Sequence, residues 1–253
     1  LPRKEFFTCP NHAGDQMNGY ILKPTNFDPS KRYPVVMSQY SGPGSQSVLD
    51  KWTIDWEYYL VSKGFIVACV DGRGTGGRSR AYETSVYMQL GKLETEDQVA
   101  GAEYMRTLPY VDDKHIGIYG WSYGGYETLM AMSTSNGTYQ AGVAIAPVTD
   151  WRYYDTIYAE RFMRTPNENN EGYEQSAPIT HAEKLKGDLL IISGTADDNV
   201  HYLNTLQYSA ALIEAGIQFD TQIYTNKDHH IRGCNTRHHL YTKVCNFFLD
   251  KLK

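Results

Sequence analysis

The sequence predicts an α/β fold, with a mostly parallel central sheet flanked by helices. Two observations carry that expectation. Short, near-continuously apolar runs alternate with longer amphipathic ones, the pattern of strands covered on both faces and joined through helices. The chain has 253 residues, enough for one large domain that buries its core without crosslinks. The strands are expected at Tyr20–Leu22, Val35–Tyr40, Phe65–Val70, Ile116–Tyr119, Ala141–Ala146, Leu189–Ser193 and Thr221–Tyr224.

The helices follow from period and end signals. A helix over Asp50–Ser62 stops at Gly64, which can take the left-handed backbone that ends a helix. Glu96–Leu108 is preceded by Thr95, and Thr95-Glu96-Asp97-Gln98 reads as a capping box. Tyr123–Ser135 follows the strand Ile116–Tyr119, and Tyr202–Ala215 stops at Gly216. Thr236–Leu252 closes the chain. Trp151, Tyr154 and Tyr158 stand at i, i+3 and i+7, one face of a further helix. Asn167–Asn170 reads as a surface loop, and there are no repeats or low-complexity stretches, so residues 1–253 form one domain.

Bulk properties exclude some classes. The net charge of −5 offers no electrostatic footprint for nucleic acid. No apolar run approaches the roughly 20 residues that span a bilayer. The chain begins Leu1-Pro2, which reads as a processed chain or excised domain with its targeting segment removed. The four cysteines, Cys9, Cys69, Cys234 and Cys245, form no C-x-x-C; Cys69 is expected in the core, and pairing of Cys234 with Cys245 stays open. The 21 tyrosines suit the lining of pockets and interfaces.

One motif carries chemistry. Gly120-Trp121-Ser122-Tyr123-Gly124-Gly125 fits G-x-S-x-G between a strand and a helix, the setting of a nucleophile elbow and so of an α/β-hydrolase fold. Small residues are needed because the turn is tight. The elbow would hold the Ser122 hydroxyl above the sheet edge and aim the Tyr123 amide at a developing oxyanion. A serine needs a base held by an acid, in the chain order Ser, Asp, His. Asp197 lies in the loop after Leu189–Ser193, and His229 in the loop after Thr221–Tyr224. Asp198 and His230 are their adjacent rivals. His12, His115, His181, His201, His238 and His239 fail on order or position.

Several other features are weighed against chemistry. Gly72-Arg73-Gly74-Thr75-Gly76-Gly77 fits the dinucleotide pattern, yet Arg78-Ser79-Arg80-Ala81 opens no clear apolar helix, so a loop near a strand end is the better reading. His229, His230, Cys234, His238 and His239 could suggest zinc, but Gly233 and Asn235 interrupt helical spacing, and no metal is assigned. The sequon Asn136-Gly137-Thr138 carries little weight. The Trp151–Tyr158 stripe, following Ala146-Pro147-Val148, would place an aromatic wall beside the nucleophile, suited to a proline ring or a small apolar side chain.

These residues resemble the catalytic domain of the prolyl oligopeptidase family over nearly the whole chain. The resemblance is strongest in Asp71-Gly72-Arg73-Gly74, the Trp121-containing elbow, Ala146-Pro147-Val148, Trp151–Tyr158, and Gly194-Thr195-Ala196-Asp197-Asp198-Asn199-Val200. It implies Ser122 as nucleophile, Asp197 as orienting acid and His229 as base. It implies an oxyanion hole completed by Tyr40, and a pocket of Tyr123, Val148, Trp151, Tyr154, Tyr158 and Val200 for proline or alanine. Asn199 matches a residue that holds the substrate backbone carbonyl. The implied activity is a serine exopeptidase releasing dipeptides from peptides with a free amino terminus, without a cofactor. An acylaminoacyl peptidase, oligopeptidase or esterase of the same family is the alternative, and a catalytically inactive interaction protein the alternative from another class. The implied partners are a β-propeller of the same full-length polypeptide, which supplies the grip on the free amine, and a second copy in a homodimer. The implied location is extracytoplasmic, periplasmic or membrane-anchored through a removed amino-terminal segment. The chain departs from the family pattern at His230, where a glycine is expected, and at Ala141 and Lys251, where two paired cysteines are expected.

Overall fold

A computed structural model describes residues 1–253. The elements run in chain order β1 (Glu5–Pro10), β2 (Gln16–Leu22), β3 (Tyr33–Ser38), α1 (Glu57–Ser62), β4 (Ile66–Asp71), α2 (Arg80–Thr84), α3 (Lys92–Thr107), β5 (Val111–Trp121) and α4 (Tyr123–Thr134). They continue with β6 (Ala141–Ile145), a 3₁₀ turn (Trp151–Tyr153), α5 (Thr156–Met163), α6 (Asn170–Gln175), a second 3₁₀ segment (Pro178–Lys184), β7 (Asp188–Gly194), α7 (Leu203–Glu214), β8 (Asp220–Tyr224) and α8 (Thr236–Lys251).

The strands form one 8-stranded sheet in the order β1-β2-β4-β3-β5-β6-β7-β8. β1 and β2 join antiparallel; every pair from β4 onward is parallel. This is the α/β-hydrolase fold. Alternation along the strands feeds two cores. Val35, Met37, Ile66, Ala68, Ile116 and Ile118 face α3, α4 and α7 on one side. Val36, Val67, Cys69, Val143 and Ile192 face α1 and α8 on the other. The register aligns Trp121 with Ile145 and Gly194 with Tyr224, so β5 to β8 end along one sheet edge. The loops after these strands are therefore neighbours, which is why three residues far apart in sequence can meet there.

Several expectations need correction. β1 was not foreseen: Glu5, Phe6 and Pro10 are exposed on an edge strand, which blunts the apolar signal. β3 stops at Ser38, leaving Tyr40 in the following loop. The helix expected from Asp50 begins only at Glu57, where the Asp55 side chain accepts the Trp56 N–H at 2.7 Å. Trp52 and Ile54 before it are exposed and bury no helical face. Thr95-Glu96-Asp97-Gln98 is not a capping box. These residues lie inside α3, whose first turn follows Gly91 at φ 81°. A Cβ on Gly91 would sit 2.2 Å from the Tyr126 hydroxyl, so the glycine is required by close approach as well as by φ. Trp151 and Tyr158 do not share one helix, because the chain extends at Tyr154 and Asp155 caps α5 by accepting the Tyr158 N–H at 2.8 Å. Asn170 opens the short helix α6, so only the front of the expected 167–170 loop is a loop. Cys234 is exposed, Cys245 is buried, and both are free thiols. No helix is long and apolar enough to cross a membrane.

Candidate active site

Ser122 sits at the sharp turn between β5 and α4 with φ 60° and ψ −114°, a backbone state that L-residues other than glycine seldom adopt. The surrounding glycines make the turn possible. A Cβ on Gly120 would lie 2.1 Å from the Gly124 carbonyl oxygen, one on Gly124 2.5 Å from Gln39 O, and one on Gly125 2.5 Å from Ile145 O. Ser122 N–H donates to Ile145 O at 2.8 Å, pinning the elbow to β6. Tyr123 N–H is the first of α4 and has no intrahelical acceptor, so it points at the space before the helix with the dipole behind it.

Asp197 and His229 arrive from the neighbouring strand ends. His229 Nε2 lies 2.9 Å from Ser122 Oγ, and His229 Nδ1 lies 2.7 Å from Asp197 Oδ2. The other Asp197 oxygen accepts the Asn199 and Val200 N–H groups, each at 2.9 Å, so three hydrogen bonds hold the buried carboxylate in one orientation. The two loops are tied together: Thr195 N–H donates to Tyr224 O at 3.0 Å and Ala196 N–H to Lys227 O at 3.1 Å. A Cβ on Gly194 would meet Lys227 O at 2.2 Å, so no other residue allows this approach.

The rival residues are placed elsewhere. Asp198 and His230 are exposed, and the His230 ring lies outside the hydrogen-bonded chain, 5.9 Å from that of His229. His12 pairs with Glu103, His115 with Asp112, and His239 with the Tyr224 hydroxyl. Sequence reasoning missed one contributor: Trp121 donates its indole N–H to the His229 carbonyl at 3.0 Å, anchoring the histidine loop to the elbow. The tryptophan inside G-x-S-x-G was the available signal.

Tyr40 lies in the loop after β3, beside Ser122, with its ring 6.1 Å from that of Tyr123. Burial pushes its pKa up, against the lowering influence of Ser122, so it keeps its donor proton at neutral pH. The glycine-rich run after β4 supports this loop. Gly44 N–H donates to Gly74 O at 2.9 Å and Gly76 N–H to Ser45 O at 2.8 Å. Asp71 accepts the Ser47 and Val48 N–H groups. The helix after that run, α2, has 5 residues. The Gly72–Gly77 segment is thus a buttress for the Tyr40 loop.

Beside the serine lies a separate apolar cluster containing Tyr123, Val148, Trp151 and Val200, with Tyr154 and Tyr158 packed against it. The Trp151 ring is 5.5 Å from Tyr123, 5.8 Å from Tyr154 and 5.7 Å from Tyr158. The Tyr154 hydroxyl donates to Asn199 Oδ1 at 2.6 Å, leaving the Asn199 NH₂ to face outward. Every pocket residue expected from the sequence is therefore in this cluster or bonded to it.

The prolyl oligopeptidase family profile matches residues 52–253. The chain belongs to the prolyl oligopeptidase family. It is 41% identical over 231 residues to dipeptidyl peptidase 4 of Sus scrofa, covering 90% of this chain and 30% of that one. It is 40% identical over 231 residues to prolyl endopeptidase FAP of Mus musculus, with the same 90% and 30% coverage. Among solved structures it matches Porphyromonas gingivalis dipeptidyl peptidase 4 with a TM-score of 0.98 and 55% identity, over 99% of this chain and 36% of that one. The chain spans about a third or less of the length of these family members.

Proposed function

We propose that this chain is the catalytic domain of a serine exopeptidase that releases amino-terminal dipeptides with proline or alanine in second position. The observation that carries the reading is the unbroken chain from Ser122 Oγ through His229 to Asp197, at 2.9 and 2.7 Å. His229 Nε2 takes the Ser122 proton as Oγ attacks the carbonyl carbon of the second residue. Asp197 holds the imidazole tautomer and stabilises the imidazolium that forms. The Tyr40 hydroxyl and the Tyr123 N–H donate to the oxyanion. His229 then protonates the leaving amine. Water, deprotonated by His229, attacks the acyl-enzyme and frees the dipeptide.

The aromatic cluster supports the acyl-group preference. Flat rings around Trp151 suit a pyrrolidine or a methyl group. Asn199, fixed by Tyr154, is suited to hold a peptide carbonyl. The amine grip and the β-propeller that would carry it belong to this proposal too; the length of the relatives beyond the matched third supports them. A homodimer and an extracytoplasmic location complete the proposed setting.

Similarity to a relative named as an endopeptidase, at 40% identity, favours one second reading: cleavage after proline inside longer or blocked peptides. The test is release of a chromogenic amide from Gly-Pro and from acetyl-Gly-Pro by the natural full-length polypeptide. The proposal expects turnover of the free substrate, little of the acetylated one, and none by Ser122→Ala. Preference for the acetylated substrate would establish the second reading, and unchanged turnover in Ser122→Ala would remove Ser122 from the chemistry.

A further inference from the structure

Tyr123 has two tasks in the proposed site. Its N–H faces the oxyanion, and its ring forms part of the acyl-group wall between Trp151, 5.5 Å away, and Tyr40, 6.1 Å away. The ring's far end is held from outside the site. The Tyr123 hydroxyl donates to Glu94 Oε1 at 2.7 Å, and Glu94, on α3, is 1% exposed. Glu94 Oε2 has no hydrogen-bond partner, so the carboxyl group is kept buried with Tyr123 as its main polar engagement. The neighbouring Tyr126 shows a cheaper way to satisfy a buried phenol: its hydroxyl lies 3.0 Å from Leu90 O and 2.8 Å from Ser176 O.

We propose that Glu94 is a specificity-determining positioning residue: by drawing the Tyr123 hydroxyl away from the pocket it presents a bare ring face to the substrate's second side chain and fixes the oxyanion N–H on the same residue. This rests on the peptidase reading above. Glu94 does not touch substrate; it acts through Tyr123. The surrounding chemistry fits a neutral acceptor as well as an anion. Burial raises the Glu94 pKa to about 7, against the lowering effect of the Tyr123 hydrogen bond. Asp97 on its own helix and the carboxyl of Glu127 on α4 lie in the same buried region. A hydrogen-bond acceptor, rather than a charge, is what Tyr123 needs.

The experiment compares kcat/KM for Gly-Pro and Gly-Ala amides in the full-length polypeptide and in Glu94→Gln, Glu94→Leu, Tyr123→Phe and the Glu94→Leu/Tyr123→Phe pair. The proline-to-alanine ratio is the readout, because a smaller folded fraction cancels from it. Glu94→Leu and Tyr123→Phe are each expected to narrow the ratio by roughly tenfold. The pair should add less than about twofold more. Glu94→Gln, which keeps an acceptor, should stay within about twofold of the parent. An unchanged ratio in folded Glu94→Leu, or losses that multiply in the pair, would overturn the proposal. If Glu94→Leu does not fold, Tyr123→Phe and Glu94→Gln decide it, and an unchanged ratio in Tyr123→Phe overturns it. If the parent releases neither amide, the peptidase reading fails; the same comparison is then read on acetyl-prolyl and acetyl-alanyl nitrophenyl esters, which need Tyr123 but no amine grip.

Discussion

Ser122 stores its strain in the backbone and receives its partners from three other strand ends. The two donors proposed for its oxyanion differ in kind. The Tyr123 N–H is fixed by the start of α4, whereas the Tyr40 hydroxyl is carried by a ring that is 40% exposed and lies beside Ser122 in a loop. A donor that engages the oxyanion more strongly than the ground-state carbonyl acts on rate. Tyr40→Phe should therefore lower kcat by roughly a hundred- to a thousandfold, about 2.7–4 kcal/mol being typical for one such donor, with KM nearly unchanged. Steady-state kinetics on Gly-Pro amide reads this directly. A rise in KM at constant kcat would assign Tyr40 to ground-state binding. The residue types of the triad were legible from order and loop placement. The Trp121 contact to His229 O was not: the elbow motif marks the tryptophan, but nothing local in sequence pairs its indole N–H with a carbonyl 108 residues away.

At the scale of elements, the site depends on how closely backbone approaches backbone. β5, the elbow and α4 pack so tightly that the Gly124 Cα leaves no space for a methyl group beside Gln39 O. Gln39 then bonds the same turn, Nε2 donating to Gly124 O at 2.8 Å. Gly124→Ala should displace the Tyr40 loop or the helix start. Activity should fall by at least about a hundredfold, the usual scale for a misplacement near 1 Å, while the far-UV circular dichroism stays close to the parent's. Full activity in that variant would show that the elbow has slack. The parallel strands were legible because they are covered on both faces and read as apolar runs. The starts of α1 and α3 were misread for a physical reason. At Asp50 the following Trp52 and Ile54 are exposed and bury no helical face; at Thr95 the local cap signal yields to tertiary demands, the side chain lying inside α3 and donating to Gly91 O and Glu127. The aromatic stripe was right as a cluster and wrong as a helix face, since a 3₁₀ turn and a capped helix meet at Tyr154.

At the scale of the whole molecule, the sheet edge collects the site while buried carboxyl groups lie beneath it. Glu94 and Glu127 are held between α3 and α4, and burial raises both pKa values, that of Glu94 to about 7. A raised folded pKa means that the folded chain keeps a proton the unfolded chain has lost. The favourable contribution is complete below the unfolded value near 4.5 and is lost as pH rises through about 7. Stability should therefore fall between about pH 5 and about pH 8, and Glu94→Gln should flatten that fall. Urea midpoints at the two pH values measure it, and an identical slope in parent and variant would mean that Glu94 is already ionised in the folded chain. The fold class was legible from alternation alone, and the site from motif order. The buried acid pair was not, because Glu94 falls outside the expected helix Glu96–Leu108 and joins the buried face only in the longer observed helix Lys92–Thr107.

The central claim is that Ser122 is a nucleophile activated by His229. Reaction of the full-length polypeptide with a fluorophosphonate, followed by peptide mass spectrometry, tests it most directly. One adduct per chain on Ser122 is expected, formed much more slowly in His229→Ala. An adduct on another residue, or none on the folded parent, would contradict the account.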